Sequence, residues 1–242
     1  MSLISVRDIR KVYQVDHEKV VALGRVSMEI RQGEICCILG TSGSGKSTLL
    51  NILAGLEKPS KGEVRIGGQT VSEFSEKQWA LFRQENIGFI FQSYNLLPTL
   101  TAIENVALPL VFQGVGKAER TKRAVHMLKS VNLGDRLMHK PTQMSGGQQQ
   151  RVGIARAFVS RPRIIFADEP TGNLDSKTSR EVMEIMVSIA KTNQETLIIV
   201  THDIEISKYA DRIVTIHDGS ILKDEYNIPV AGDVPQNEEA AV

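Results

Sequence analysis

The 242-residue sequence predicts an α/β fold with a mostly parallel sheet, and three observations point there. First, Ile35–Leu39, Ile87–Phe91, Ile164–Ala167, Leu197–Val200 and Ile213–Ile216 are nearly continuous apolar runs. Strands with one wet face alternate apolar and polar residues, so unbroken runs of this length belong to strands covered by helices on both faces. Second, no strand signal appears between Thr101 and Phe158, where Ala124, Leu128 and Val131 recur at helical spacing with Met127 on the same face. Third, Leu3–Val15 and Val20–Ile30 alternate loosely around a polar break at Asp16–Lys19, and Glu63–Ile66 follows a Lys-Gly turn, which reads as an antiparallel accessory sheet. The expected organisation is one domain over 1–227, a helical subdomain inserted at roughly 95–160, and a loose tail over 228–242, where Pro, Gly, Asn and Glu leave little to pack.

Composition narrows the function. Lys plus Arg number 29 against 28 Asp plus Glu, a net charge of +1 without a long basic run, so no nucleic-acid footprint is expected. Cys36 and Cys37 are neighbours in an apolar run, where adjacent side chains point to opposite faces, and they read as reduced core residues. Trp79, the seven methionines, and His17, His126, His139 and His217 read as packing or structural residues. The first ten residues lack a basic start before an apolar stretch, so no signal peptide is expected, and no run approaches the roughly 18 to 20 apolar residues that span a bilayer.

The first chemical motif follows the run Ile35–Leu39. Gly40, Thr41, Ser42, Gly43, Ser44, Gly45, Lys46, Ser47 and Thr48 fit the phosphate-binding P-loop, GxxxxGK[ST], ahead of a helical stretch at Ser47–Leu56. Glycines let backbone N–H groups turn inward around a phosphate, and the helix N-terminus adds its dipole and unpaired donors. Lys46 supplies a point charge toward β/γ oxygens, and the Ser47 hydroxyl can ligate Mg²⁺. The motif implies a nucleotide without choosing which.

A second motif ends the run Ile164–Ala167 in two carboxylates, Asp168 and Glu169. Ligands of parallel α/β sheets gather beyond the carboxyl ends of the strands. Asp168 is therefore a candidate to hold the metal, directly or through its waters. Glu169 is a candidate to orient or deprotonate the water that attacks a γ-phosphate.

Met144, Ser145, Gly146, Gly147 and Gln148 precede a helical stretch at Val152–Phe158 and offer a second helix-start anion site. One nucleotide does not need two cradles. Two copies related by a two-fold axis could each close their second cradle on the nucleotide held in the other's first.

At this point the sequence resembles the ABC ATPase family, a P-loop NTPase with a RecA-like core, whose LSGGQ signature stands here as MSGGQ. The resemblance runs from about Leu3 to Tyr226. It implies an ATP-hydrolysing transporter subunit that works as an ATP-sandwiched homodimer on the cytoplasmic face of the membrane, peripheral through a separate permease. It further implies that Gln92 is the metal-sensing and coupling glutamine, that Asn173, Leu174 and Asp175 cross the dimer interface, that His202 contacts the γ-phosphate, and that Tyr13 stacks on adenine.

The run Gly88–Val106, with Pro109 and Leu110, and the run Ala167–Asp175 are similar to the lipoprotein-release and macrolide-export branch. The segment Leu96, Leu97 and Pro98 is expected to line the groove that receives a permease helix. The alternative is a soluble ATPase of the same family in DNA maintenance or translation. Against it stand the lack of sustained heptads between Thr48 and Ser145 and the presence of one cassette rather than two.

Overall fold

A computed structural model describes residues 2–16 and 18–227; the tail expected to be loose, 228–242, and His17 lie outside the described residues. A long hairpin, β1 (Ser2–Val15) and β2 (Glu18–Arg31), leads into β3 (Ile35–Leu39) and helix α1 (Lys46–Leu53). β4 (Lys61–Ile66), β5 (Gln69–Thr70) and α2 (Glu76–Asn86) precede β6 (Ile87–Phe91), and three helices follow: α3 (Ala102–Phe112), α4 (Lys117–Ser130) and α5 (Gly146–Phe158). The chain then runs through β7 (Ile164–Asp168), α6 (Ser176–Asn193), β8 (Thr196–Thr201), α7 (Ile204–Ser207), β9 (Arg212–His217) and β10 (Ser220–Tyr226).

The five apolar runs are the five parallel strands of one sheet, in the order β10-β9-β3-β8-β7-β6, with β10 antiparallel at the edge. The hairpin forms a second, antiparallel sheet with β4 and β5, in the order β2-β1-β4-β5. Successive residues of each central strand serve opposite cores, as the strand period requires. Cys37, Ala167 and Ile199 pack with Val106, Leu128, Phe158 and Met183 of the helical side. Cys36, Ile38, Phe166 and Ile198 pack with Leu49 and Leu53 of α1 and with Ile4 and Ile30 of the second sheet. Burial pushes both thiols up, Cys37 to about 12, so both stay protonated, unreactive core residues.

Local chemistry starts the helices. Ser75 with Gln78, Thr101 with Glu104 and Ser145 with Gln148 each close a reciprocal capping box, which satisfies otherwise unpaired N–H groups at the first turns of α2, α3 and α5. The box at Ser145 starts α5 at Gly146, six residues before the helical stretch read from the sequence at Val152. α2 and β10 carry a weak apolar pattern, whereas α6 is an addition to the expected elements although Val182, Met183, Met186 and Ala190 recur at helical spacing. Trp79 packs as anticipated, edge-on to Phe74 and Phe82.

Other readings are corrected. Met138 is 73% exposed, because it lies in the α4–α5 connection that runs over the surface. His126 and His217 are also exposed rather than structural, while His139 is half-buried with Arg136 Nη1 3.1 Å from its Nε2.

Glu195 is a buried carboxyl at the entry to β8. Asn193 Nδ2 donates to its Oε2 at 3.2 Å, its Oε1 has no partner, and burial pushes its pKa up to about 7. The raised value means that the folded chain holds this proton more tightly than the unfolded chain. Its contribution to stability is therefore complete below the ordinary carboxylate pKa and declines as pH rises toward 7. Glu195→Gln, which mimics the protonated form, should leave the melting temperature unchanged near pH 5 and raise it at pH 8, by up to about 3 kcal/mol in stability. Parallel melting profiles of the two proteins across that range would refute the assignment.

Candidate functional site

The parallel register brings the motif residues to one sheet edge. Leu39 pairs with Thr201 and Asp168 with Val200, so the end of β8 lies between the strand that feeds the P-loop and the strand that ends in two carboxylates. A cavity of about 650 Å³ opens there, lined by Gly40, Thr41, Ser42, Gly43, Lys46, Ser47, Gln92, Glu169 and His202, all singled out from the sequence. Leu39, Ile204, Thr215, Ile216, His217 and Leu222 complete the wall and were not anticipated as site residues.

The loop geometry explains its glycines. Gly45 caps α1 at φ 102°, and a Cβ there would meet the Ala22 carbonyl oxygen at 2.5 Å. A Cβ on Gly40 would come within 2.4 Å of the Ile216 carbonyl oxygen and 2.6 Å of Ser44 Oγ. Lys46 is buried and donates to the Thr41 carbonyl at 2.8 Å, which holds its charge at the loop. Ser44 Oγ is buried without a hydrogen-bond partner, as fits a loop whose donors serve a group seated in it. Thr48 lies in the first turn of α1.

The carboxylates differ. Burial, then the neighbouring charge of Glu169, raises the Asp168 pKa, and Lys46 opposes the rise. Glu169 has a left-handed backbone, φ 45°, uncommon for a side chain of its kind and stabilised by its N–H donating to the Val200 carbonyl at 2.9 Å. Its Oε1 lies 2.8 Å from His202 Nδ1, and its Oε2 accepts from Thr201 Oγ1 at 3.1 Å. With Nδ1 against the carboxylate, Nε2 is the ring nitrogen left for other contacts; the tautomer follows from that partner. Thr201 was missed, although it is the residue between the apolar run of β8 and His202. Gln92 Nε2 donates to Asn173 Oδ1 at 3.4 Å, and Asn173 Nδ2 to the Gln92 carbonyl at 3.0 Å.

Other expected residues stand apart from this cavity. Ser145, Gly146, Gly147 and Gln148 form the N-terminus of α5, and Asp175 caps α6 beside it, accepting from Lys177 N and Thr178 N at 3.0 Å each and from Thr178 Oγ1 at 2.6 Å. Tyr13 Oη donates to Glu57 Oε2 at 2.6 Å, while Lys11 Nζ lies 5.0 Å from the ring centre.

A second, largely apolar cavity of about 560 Å³ lies between β6 and α3, lined by Phe89, Phe91, Asn95, Leu108, Pro109 and Phe112, with Arg83 and Arg156 among its polar residues. Leu96, Leu97 and Pro98 do not line it: Leu96 packs on the core and Leu97 is 45% exposed, its N–H and carbonyl both held by Asn105.

Residues 23–172 match the family model described as ABC transporter. An uncharacterised ABC transporter ATP-binding protein of Thermotoga maritima is 50% identical over 93% of this chain and 96% of its own length. The macrolide export ATP-binding/permease protein MacB of Vibrio parahaemolyticus is 46% identical over 99% of this chain, which spans 36% of that protein. Among solved structures, the dimeric post-hydrolysis state of the cassette MJ0796 of Methanocaldococcus jannaschii, bound to ADP and Pi, has a TM-score of 0.86 and 42% identity, covering 93% of this chain and 99% of that one.

The Lys46 geometry generates a direct test. Lys46→Ala removes the only charged side chain of the loop, and affinity for Mg-ATP measured by calorimetry should fall at least about fivefold. Unchanged affinity would move the nucleotide elsewhere.

Proposed function

The chain belongs to the ABC transporter family as an ATP-binding subunit that hydrolyses ATP, and from that premise we propose that two copies close around two ATP molecules to drive a separate membrane permease. The observation that carries this reading is the division of its anion cradles. The P-loop shares a cavity with Gln92, Glu169 and His202, whereas the cradle at Ser145, Gly146, Gly147 and Gln148 opens outside that cavity. A second copy would bring its own α5 N-terminus to the γ-phosphate, with Asp175 at the seam, and each site would be complete only in the pair.

Within each site, Lys46 and the loop N–H groups hold the phosphates. Glu169, oriented by Thr201 and His202, accepts the proton of the attacking water, and His202 contacts the γ-phosphate. Ser47, Asp168 and Gln92 would hold Mg²⁺, which supplies charge neutralisation on the phosphate oxygens. Among the described residues no group of three His, Cys, Asp or Glu could hold a metal alone, in keeping with a cation that also draws on nucleotide oxygens. Tyr13, beside α1, is the adenine platform in this reading.

The permease partner is supported by the length relation to MacB, whose name joins ATP-binding and permease functions in a chain of which this one spans 36%. No helix among the described residues is long and apolar enough to cross a membrane. We assign the permease helix to the apolar cavity between β6 and α3, which puts the cassette on the cytoplasmic face, and an extrusion or lipoprotein-release role follows from the same kinship. Residues 1–227 form the cassette in this reading, with 95–160 as its helical subdomain.

Two experiments test the proposal. Glu169→Gln keeps the size of the side chain and loses the acceptor, so turnover should fall at least about a hundredfold while ATP still binds. Light scattering should then report a dimer at saturating Mg-ATP, and a monomer at micromolar protein would refute the shared site. Phe112→Glu, at a side chain 69% exposed in the apolar cavity, should abolish assembly with the permease while leaving melting temperature and ATP affinity unchanged. Intact assembly would remove the cavity from the partner interface.

A further inference from the structure

The segment between Gln92 and the apolar cavity has an unusual backbone. Tyr94 and Asn95 are consecutive non-glycine residues with left-handed φ, 61° and 49°. The turn that makes them is short: Tyr94 N donates to the Phe91 carbonyl at 3.2 Å and Asn95 N to the Ser93 carbonyl at 2.6 Å. Left-handed geometry crowds Cβ against the following carbonyl and costs about 1–2 kcal/mol for a tyrosine, less for an asparagine. Something outside the turn has to hold it.

That group is Arg156, on the last turn of α5. Its Nη2 donates to the Tyr94 carbonyl at 2.8 Å and its Nη1 to the Asn95 carbonyl. Two adjacent carbonyls turned the same way suit the planar fork of a guanidinium, and a lysine ammonium could not hold both in the same geometry. Arg156 forms no salt bridge among the described residues, so these carbonyls are its identified partners. The tyrosine side chain meets the same helix at its other end, since a Cβ on Gly146 would lie 2.8 Å from Tyr94 Oη.

We propose that Arg156 is a positioning residue that locks Tyr94 and Asn95 in the left-handed pair, and so fixes Gln92 against the nucleotide cavity while seating Asn95 in the apolar cavity. The lock ties this segment to both ends of α5, the helix whose N-terminus carries the second anion cradle. This inference rests on the role given above to Gln92. The exposed Asn95 allows the lock to be tested through backbone preference alone. Valine disfavours the left-handed region, whereas glycine enters it freely.

The experiment measures ATPase kinetics and amide hydrogen exchange of the full chain for Arg156→Ala, Asn95→Val, Asn95→Gly, the double variant Arg156→Ala/Asn95→Gly, and Gln92→Ala. Arg156→Ala and Asn95→Val should each lower kcat about tenfold, or 1.4 kcal/mol, with KM within about twofold. Exchange should rise over residues 93–97 while α5 stays protected. Asn95→Gly should turn over faster than Asn95→Val and, in the double variant, restore at least about a third of the lost rate.

Normal kcat in Asn95→Val, or a double variant no better than Arg156→Ala with protection lost along α5, would reduce Arg156 to a packing residue and overturn the proposal. Asn95→Val retains the arginine, so it separates the lock from simple packing even if Arg156→Ala does not fold. If Gln92→Ala itself turns over normally, the role given to Gln92 fails instead; if Gln92→Ala is slow and the lock variants are not, the lock alone fails.

Discussion

The site depends on one constraint, the register of the parallel strands β3, β8 and β7. Leu39 beside Thr201, and Val200 beside Asp168, bring three strand ends to a common edge. A slip of one residue in any of them would turn every side chain on that strand to the opposite core, so the two apolar cores hold the register and the register holds the chemistry. The P-loop, the carboxylate pair and the Thr201–His202 step are short extensions of strands that the core has already fixed. This is why residues distant in sequence, such as Lys46, Glu169 and His202, can meet in one cavity with little loop between strand and function.

In the proposed reading, the same edge leaves the catalytic apparatus incomplete within one chain. The carboxylate of Glu169 is held on both oxygens, and Lys46 is tied to its own loop, so the phosphate side is organised in advance. The N-termini of α5 and α6 are equally ordered by Ser145 and Asp175, yet neither lines the cavity of the P-loop. Preorganised cradles that lie apart within one molecule suit the proposed switch, in which association, rather than local rearrangement, completes the site.

Much of this was legible in the sequence because buried parallel strands and glycine-rich cradles leave unmistakable patterns. All five apolar runs are strands, and the P-loop residues, Gln92, Glu169 and His202 converge. What the sequence hides has a weaker or ambiguous signal. α2 has a single buried residue, Trp79, so its apolar face is almost silent, and only the Ser75 and Gln78 box announces it. The start of α5 reads late because Gly146 and Gly147 are poor helix formers, and the box at Ser145 and Gln148 overrides that propensity. Thr201 is inconspicuous because a threonine ending an apolar run looks like strand, and its bond to Glu169 exists only once β7 and β8 are side by side. Leu96 and Leu97 were expected to line one groove, but Asn105, wholly buried, captures the backbone around Leu97, and Leu96 packs on the core while Leu97 is exposed.

The adjacent thiols of β3 have a practical corollary. Cys36 and Cys37, the two cysteines of the sequence, sit in opposite cores with their protons held tightly, so neither offers a thiolate to a reagent in the folded state. A cysteine introduced at an exposed position would then be the reactive one without prior removal of the native pair. Spin or fluorescent probes attached there could report the separation of two copies during a turnover cycle, in a protein whose own chemistry is otherwise untouched.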